Sequence, residues 1–293
     1  MKELTIISGK GGTGKTSVTA SFATLAPNRV VVDADVDAAN LYLTLAHKTI
    51  HSENFIGGSL AEIDPALCTQ CGDCRERCQF GAISEEFVVD PIACEGCGVC
   101  VHFCPVDAIS FERQVCGEKF LSETDNGPMI HARLGIAQEN SGLLVSALRQ
   151  QARQIAKEKN IPLIIVDGPP GIGCPVIASI TNADALLIVT EPSMSGMHDM
   201  ERVKSLADQM RVPTYLCINK SDLNQEKTDE MKAFALEQNI KFAGEIPFDK
   251  DVTASMNANK SLVEFSQGPA AQAMRKVWQN VSKYINETMD KLT

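Results

Sequence analysis

LTIISGKGGTGKTS, residues 4–17, begins as a short apolar run and ends in a glycine-rich loop. The run reads as a buried strand, and the residues from the loop to about Leu25 read as a helix. Between them stands G-x4-G-K-[ST], from Gly9 to Thr16, in the strand–loop–helix setting that gives this pattern its meaning. Glycines let backbone N–H groups turn inward around phosphate oxygens, and a helix N-terminus adds positive potential there. Gly9, Gly11, Gly12, Thr13, Gly14, Lys15, Thr16 and Ser17 therefore form a candidate nucleotide cradle. Lys15 is placed to reach the β- and γ-phosphates, and Thr16 to ligate Mg²⁺.

Four more apolar runs follow the same logic. RVVVDADVDAANL (29–41), PLIIVDGPPG (162–171), ALLIVTEP (185–192) and PTYLCINK (213–220) each carry a buried strand and its exit. Helical stretches lie between and after them, including 143–159, where Leu144, Ala147, Leu148 and Ile155 share one side. This βα alternation predicts an α/β fold with a doubly wound, mainly parallel sheet. Asp167 ends its strand, the position from which an acid holds Mg²⁺ through water.

A second pattern sits between these strands. Cys68, Cys71, Cys74 and Cys78 are spaced C-x2-C-x2-C-x3-C, and Cys94, Cys97, Cys100 and Cys104 repeat the spacing, with Pro105 following. Three thiolates at i, i+3 and i+6 wrap one cubane, while the fourth points away and ligates the other. The spacing predicts two [4Fe–4S] clusters, one on Cys68, Cys71, Cys74 and Cys104, the other on Cys78, Cys94, Cys97 and Cys100. Structural zinc favours paired C-x2-C, and disulfides need a secretory context. FGAIS (80–84) and VDAIS (106–110) are matching half-repeats, and 86–90 and 108–112 read as small strands. Residues 59–113 are thus expected to form an inserted α+β domain, with 1–58 and 114–293 as the nucleotide domain. Gly57 and Gly58 mark the crossing.

The chain has 293 residues and a net charge of −10, which argues against a nucleic-acid surface. The region 59–113 is the acidic part, with ten Asp/Glu against three Lys/Arg. A docking face for a basic partner or a solvated surface both fit. No apolar run is long enough for a membrane span. Residues 1–8 are too short for a signal peptide, and eleven cysteines then imply reducing cytoplasm. Cys116 and Cys217 read as structural. The histidines show no ligand spacing, and His102 reads as a surface residue in a cluster loop. The end, 268–292, is an amphipathic helix with Met274, Val277, Trp278, Val281 and Ile285 at helical spacing. Its lack of a cationic block favours docking over a membrane anchor.

These motifs carry two resemblances. Residues 68–105 and their flanks resemble a bacterial two-cluster ferredoxin over about fifty residues. Gln79 departs from that family, which has proline after the fourth cysteine. The remainder, with Lys10 in K-G-G-T-G-K-T, resembles the deviant Walker A ATPases: the MinD/ParA/Mrp group and the nitrogenase iron protein. The resemblance implies that Lys10 reaches a partner subunit's nucleotide across a dimer. Asp33, Asp35 and Asn40 match the family's D-x-D…N, which implies Asp33 near the Mg²⁺ shell and Asp35 positioning the attacking water. DGPPGIG (167–173) resembles its switch II, responding to the γ-phosphate through the Gly168 and Gly171 backbone. N-K-S-D (219–222) is a pattern with which many GTPases read guanine, but the resemblance implies ATP. Asn219 then touches the adenine edge, and the backbone near Pro247 lines the base. Cys174 lies seven residues after Asp167, the offset of one bridging-cluster ligand in the nitrogenase iron protein. The companion position falls near Glu139 or Asn140, and neither is cysteine. Cys174 is a candidate metal or interface residue, or a small buried hydrophobe at a helix start.

The expectation is an ATP hydrolase that forms a homodimer, or a heterodimer with a related ATPase. It couples nucleotide state to electron transfer through the clusters to an unidentified redox partner. A cluster scaffold or carrier, and a redox-sensing positioning switch, are the alternatives.

Overall fold

The apolar runs do form strands, and the fold follows from how they are shared between two layers of helices. The computed structural model describes residues 1–135 and 141–290. Its elements begin with β1 (Lys2–Ser8), α1 (Lys15–Leu25), β2 (Arg29–Asp33) and β3 (His47–Ile63). Then come α2 (Asp73–Arg77), α3 (Val99–His102), β4 (Ile109–Thr124), β5 (Gly127–Leu134) and α4 (Ser141–Glu158). The next are β6 (Leu163–Pro170), α5 (Cys174–Ile180), β7 (Ala185–Thr190), α6 (Met194–Gln209) and β8 (Thr214–Asn219). The chain ends with α7 (Gln225–Glu237), β9 (Lys241–Ile246), α8 (Asp251–Asn257), α9 (Leu262–Phe265) and α10 (Pro269–Asp290).

The nine-stranded sheet has the order β3-β4-β5-β2-β6-β1-β7-β8-β9. The pairs β2–β5, β2–β6, β1–β6, β1–β7, β7–β8 and β8–β9 are all parallel. The α/β, mainly parallel expectation therefore holds. Side chains of the central strands alternate between two buried layers. Leu187 and Val189 face Phe22 and the terminal helix, whereas Leu186 and Ile188 face Val176, Met200 and Met231. A sheet covered on both faces needs continuous apolar strands, hence the runs seen in the sequence.

The chain divides into two compact units. The first comprises Met1–Ser52, Phe120–Ala132 and Ser141–Thr293; the second comprises Glu53–Lys119 and Arg133–Asn140. The stretch 59–113 falls inside the second. Gly57 and Gly58 lie within β3 rather than at a loop, and the Phe55 ring covers the face of Gly57 where a Cβ would stand. Of the two small strands expected, 108–112 opens the long β4, and 86–90 contributes only an isolated bridge between Ile83 and Val89.

In the first unit, α10 docks through Met274, Val277, Val281 and Ile285, and Trp278 lies 5.0 Å from Phe22. No described helix is long and apolar enough to cross a membrane. A largely buried ion network lies at the N-terminal end of β1, opposite the end that leads into the nucleotide loop. Glu3 accepts from Arg149 and Arg153, and Arg149 also donates to the Thr181 carbonyl at 2.9 Å and to that of Ala178. Burial holds the Arg149 guanidinium below its ordinary range, with Glu3 opposing the shift. Glu3→Ala leaves these guanidinium groups without their carboxylate. The expected cost is about 3–5 kcal/mol in urea unfolding.

The second unit is a two-fold internal repeat, offset by the step from Cys68 to Cys94. Positive φ recurs at Gln70 (56°) and Gly96 (60°), at Gly72 (89°) and Gly98 (72°), and at Gly81 (64°) and Asp107 (50°). The halves exchange backbone bonds: Asp64 N–H donates to Ala108 and Asp90 N–H to Ala82, each at 2.8 Å. Gly96 has no alternative, since a Cβ would stand 2.3 Å from the Ser59 carbonyl oxygen. The apolar cluster beside the cysteine pockets of this unit is small, built on Ala61, Cys74, Ile83 and Ile109.

Candidate functional site

The nucleotide loop lies between β1 and α1 because Gly12 (φ 80°) and Gly14 (φ 90°) adopt left-handed backbone. Gly14 is constrained twice, as a Cβ there would meet Asn219 Nδ2 at 2.3 Å. Asn219 Nδ2 donates to the Thr13 carbonyl at 2.8 Å and so braces the loop from β8. Gly9 plays a different part: its missing Cβ admits Asp199 of α6.

A cleft with about 1500 Å³ of open space, mouth included, runs along this loop. Gly11, Gly12, Thr13, Gly14, Lys15, Thr16, Ser17, Asp35, Asn219 and Pro247 all line it. Asp33 and Asp167 are fully buried. Lys15 Nζ lies 3.1 Å from Asp167 Oδ1 and 3.3 Å from Asp35 Oδ2. Thr16 and Thr19 each donate to Asp167 at 2.8 Å. Asp33 accepts backbone N–H groups from Asp35, Asn40 and Leu41 at 3.0–3.3 Å. Burial and the neighbouring Asp167 push its carboxyl up to about 7. Burial also raises Asp35, with Lys15 opposing the shift. For Lys15 burial acts downward, but Asp167 and Asp35 outweigh it and hold the ammonium above its ordinary value.

Two buried oxygens on this cleft, Thr13 Oγ1 and Asn40 Oδ1, have no hydrogen-bond partner among the described residues. A polar ligand or water satisfies such atoms. The far wall is formed by Phe248, Asp249, Val252, Thr253 and Met256, which the sequence reading did not single out. Asp222, the last residue of N-K-S-D, accepts from the Phe248 N–H at 2.6 Å and is not on the wall. Lys10 is not on the wall either. Its ammonium pairs with Glu191 at 2.6 Å within its own chain.

In the second unit the cysteines divide between two pockets. Cys68, Cys71, Cys74 and Cys104 line one of about 300 Å³, and Cys78, Cys94, Cys97 and Cys100 line one of about 380 Å³, open space included. Apolar neighbours complete them: Ile63, Phe87 and Ile109 in the first, Phe80, Ile83 and Phe111 in the second. Burial raises the Cys74 and Cys100 thiols, which occupy equivalent places in the repeat.

The remaining cysteines separate. Cys116 is buried and donates to the Gly57 carbonyl, and Cys217 is buried and pushed up to about 12. Cys174 starts α5 as expected but is exposed, not a buried hydrophobe. Glu139 and Asn140 lie outside the described residues. His102 is exposed, whereas His131 is buried between the rings of Tyr42 and Phe120, with His47 edge-on.

A family model described as the CobQ/CobB/MinD/ParA nucleotide binding domain matches residues 4–263. An uncharacterized protein of Methanocaldococcus jannaschii is 32% identical over 287 residues, spanning 97% of each chain. A protein of Pyrococcus abyssi named iron–sulfur cluster carrier protein is 23% identical, over 97% of this chain and 87% of that one. Among solved structures, the cell division ATPase MinD of Pyrococcus furiosus aligns with a TM-score of 0.58 at 16% identity, covering 97% of this chain and 99% of that one. That likeness is one of fold. Taken with the cradle, the buried aspartates and the sheet order, the match over most of the length places this chain in the CobQ/CobB/MinD/ParA family of P-loop nucleotide-binding ATPases.

Proposed function

We propose that this chain is a dimeric ATPase that couples nucleotide state to electron transfer through two [4Fe–4S] clusters held by its second unit. The carrying observation is the division of eight cysteines between two pockets. Each takes three thiols from one run and the fourth from the other, as crossed ligation requires. Thiolates gather about 2.3 Å from a single zinc, whereas a pocket bordered by apolar side chains suits a cubane. The residues therefore fit the clusters, which supply one-electron redox chemistry when bound.

On the nucleotide side, the loop N–H groups and Lys15 bind phosphate. Thr16, Asp33 and Asp167 form the Mg²⁺ surroundings. A cation that keeps its waters and takes nucleotide oxygens needs few direct protein ligands. Asp35 orients the attacking water, and the orphan oxygens of Thr13 and Asn40 find partners. Phosphoryl transfer asks for this positioning more than for covalent chemistry. The Asp222 carboxylate is already engaged by the Phe248 N–H and is not among the cleft-lining residues, which supports adenine over guanine. Asn219 and the Pro247 backbone are the proposed base contacts. Lys10 completes the site of a second copy or a related ATPase. The redox partner is a separate protein.

The test is anaerobic. About eight irons per chain, with reduction rates or potentials that move on binding ATP–Mg²⁺, are expected. Eight irons that ignore nucleotide count against the coupling and favour a redox-sensing switch. The carrier reading has its own support in the name of the Pyrococcus abyssi relative and in the exposure of Cys174. It requires additional iron that disappears in Cys174→Ala and transfers to an apo-protein. For the hydrolytic step, Asp35→Ala is expected to slow phosphate release about 10²–10⁴-fold while ATP still binds, read by single-turnover kinetics and calorimetry.

A further inference from the structure

Lys10 and Lys220 share one carboxylate. Glu191, the residue after β7, pairs with Lys10 at 2.6 Å through Oε1 and with Lys220 at 3.1 Å through Oε2. The two lysines are held very differently. Lys220 is anchored on several sides: Nζ also donates to the Gly12 carbonyl at 3.2 Å, and its N–H donates to Asn219 Oδ1 at 3.0 Å. Among the described residues, Lys10 Nζ has side-chain partners alone, Glu191 and the Ser195 hydroxyl at 3.0 Å. The hydrogen bond from Lys10 holds the Glu191 carboxyl below its ordinary range, although burial opposes this.

Consider what leaves when an anion competes for this cluster. With both lysines in place the group carries one excess positive charge. If Lys10 departs, Glu191 and Lys220 remain as a neutral pair, already bonded. If Lys220 departs instead, the Gly12 carbonyl loses its donor as well. Lys10 is therefore the exchangeable member, and its release strands no buried charge. Its side chain is about one-third exposed, with an aliphatic stem long enough to swing.

We propose that Glu191 is a positioning residue that stores Lys10 on its own chain and gives it up when the ATP-bound face is completed by a second subunit. The proposal rests on the reading of Lys10 as the lysine that crosses to a partner's phosphates. It adds a competitor for that lysine, supplied by the same subunit, and so a threshold for assembly. Each dimer releases two such pairs, which doubles the cost in free energy and squares it in the equilibrium constant.

The test uses the cluster-loaded protein under anaerobic conditions, titrated with Mg²⁺ and a non-hydrolysable ATP analogue. Dimer formation is followed by sedimentation velocity in wild type, Glu191→Gln, Lys10→Ala and the double variant. Partly exposed ion pairs are weak, so the analogue concentration for half-maximal dimer should fall about three- to tenfold in Glu191→Gln. Lys10→Ala should not dimerise, and the double variant should match it. Ser195→Ala removes only the second partner of Lys10 and should shift the midpoint the same way by less, which keeps the test intact if Glu191→Gln misfolds. An unchanged or raised midpoint in Glu191→Gln and Ser195→Ala, with Lys10→Ala inactive in assembly, overturns the storage role and leaves the role of Lys10 standing. Normal dimerisation by Lys10→Ala, or none by wild type, overturns the underlying reading and the storage role with it.

Discussion

Lys15→Ala is expected to abolish ATP hydrolysis, with a loss of at least about 10²–10³-fold, the scale for removing one preorganised charge contact. The structure adds a second consequence. Lys15 is the cation between Asp35 and Asp167, and Asp33 lies close enough to act on it. Without it these buried acids face one another. Asp33 and Asp35 already sit above their ordinary range with Lys15 present, and its removal pushes them higher. A folded state that holds protons which the unfolded chain releases near pH 4 loses stability as pH rises. The variant should therefore melt lower than wild type at neutral pH, and the gap should narrow on acidification toward pH 4. Thermal scans across that range, beside a phosphate-release assay, check both halves. Lys15→Met, which keeps the stem without the charge, should reproduce the same pH trend.

The second large effect concerns the cysteines. Cys104→Ala is expected to empty the site of Cys68, Cys71 and Cys74, not that of its own run, and Cys78→Ala the reverse. Either variant should fall from about eight irons to about four, with the surviving cluster's signal unchanged. Equal loss from both sites, or loss confined to the mutated run, would falsify the crossed assignment. Full removal of iron should go further. The apolar cluster beside the cysteine pockets of the second unit has four buried residues, Ala61, Cys74, Ile83 and Ile109, with Cys78, Cys94, Cys100 and Cys104 among the partly buried groups packed against it. So small a cluster does not hold a fold alone, and metal binding becomes folding free energy. A chelator should release amide protection throughout 53–119, while the first unit keeps its own. Hydrogen exchange reads both at once.

How much of this was legible beforehand depends on what each element must satisfy. β1, β2, β6, β7 and β8 were readable because a strand covered on both faces has to be apolar throughout. β9 was not, since its lysine and glutamate occupy exposed positions on the outermost strand. The long β3 was hidden for the same reason, with HKTIHSENFIGG mostly exposed until Gly57. Its two glycines read as a boundary, whereas Gly57 accommodates the Phe55 ring within the strand. The phosphate side of the cleft was legible because its residues are contiguous. The base side was not, because Phe248, Thr253 and Met256 reach the cleft only through the turn into α8. Glu191 escaped notice because its partners, Lys10 and Lys220, lie far from it in the chain.

The strand order carries a consequence for the order of synthesis. β1 emerges first, yet its sheet neighbours are β6 and β7, residues 163–170 and 185–190. β2 waits likewise for β5 and β6. The second unit is nearly complete once residue 119 has emerged, and both of its pockets close on cysteines no later than Cys104. Local contacts form before distant ones, and domains fold as units during translation. A growing chain thus presents a finished set of thiols while its phosphate cradle still has no wall. The thiols of the proposed cluster sites are therefore available before the strands that wall the nucleotide site have been made.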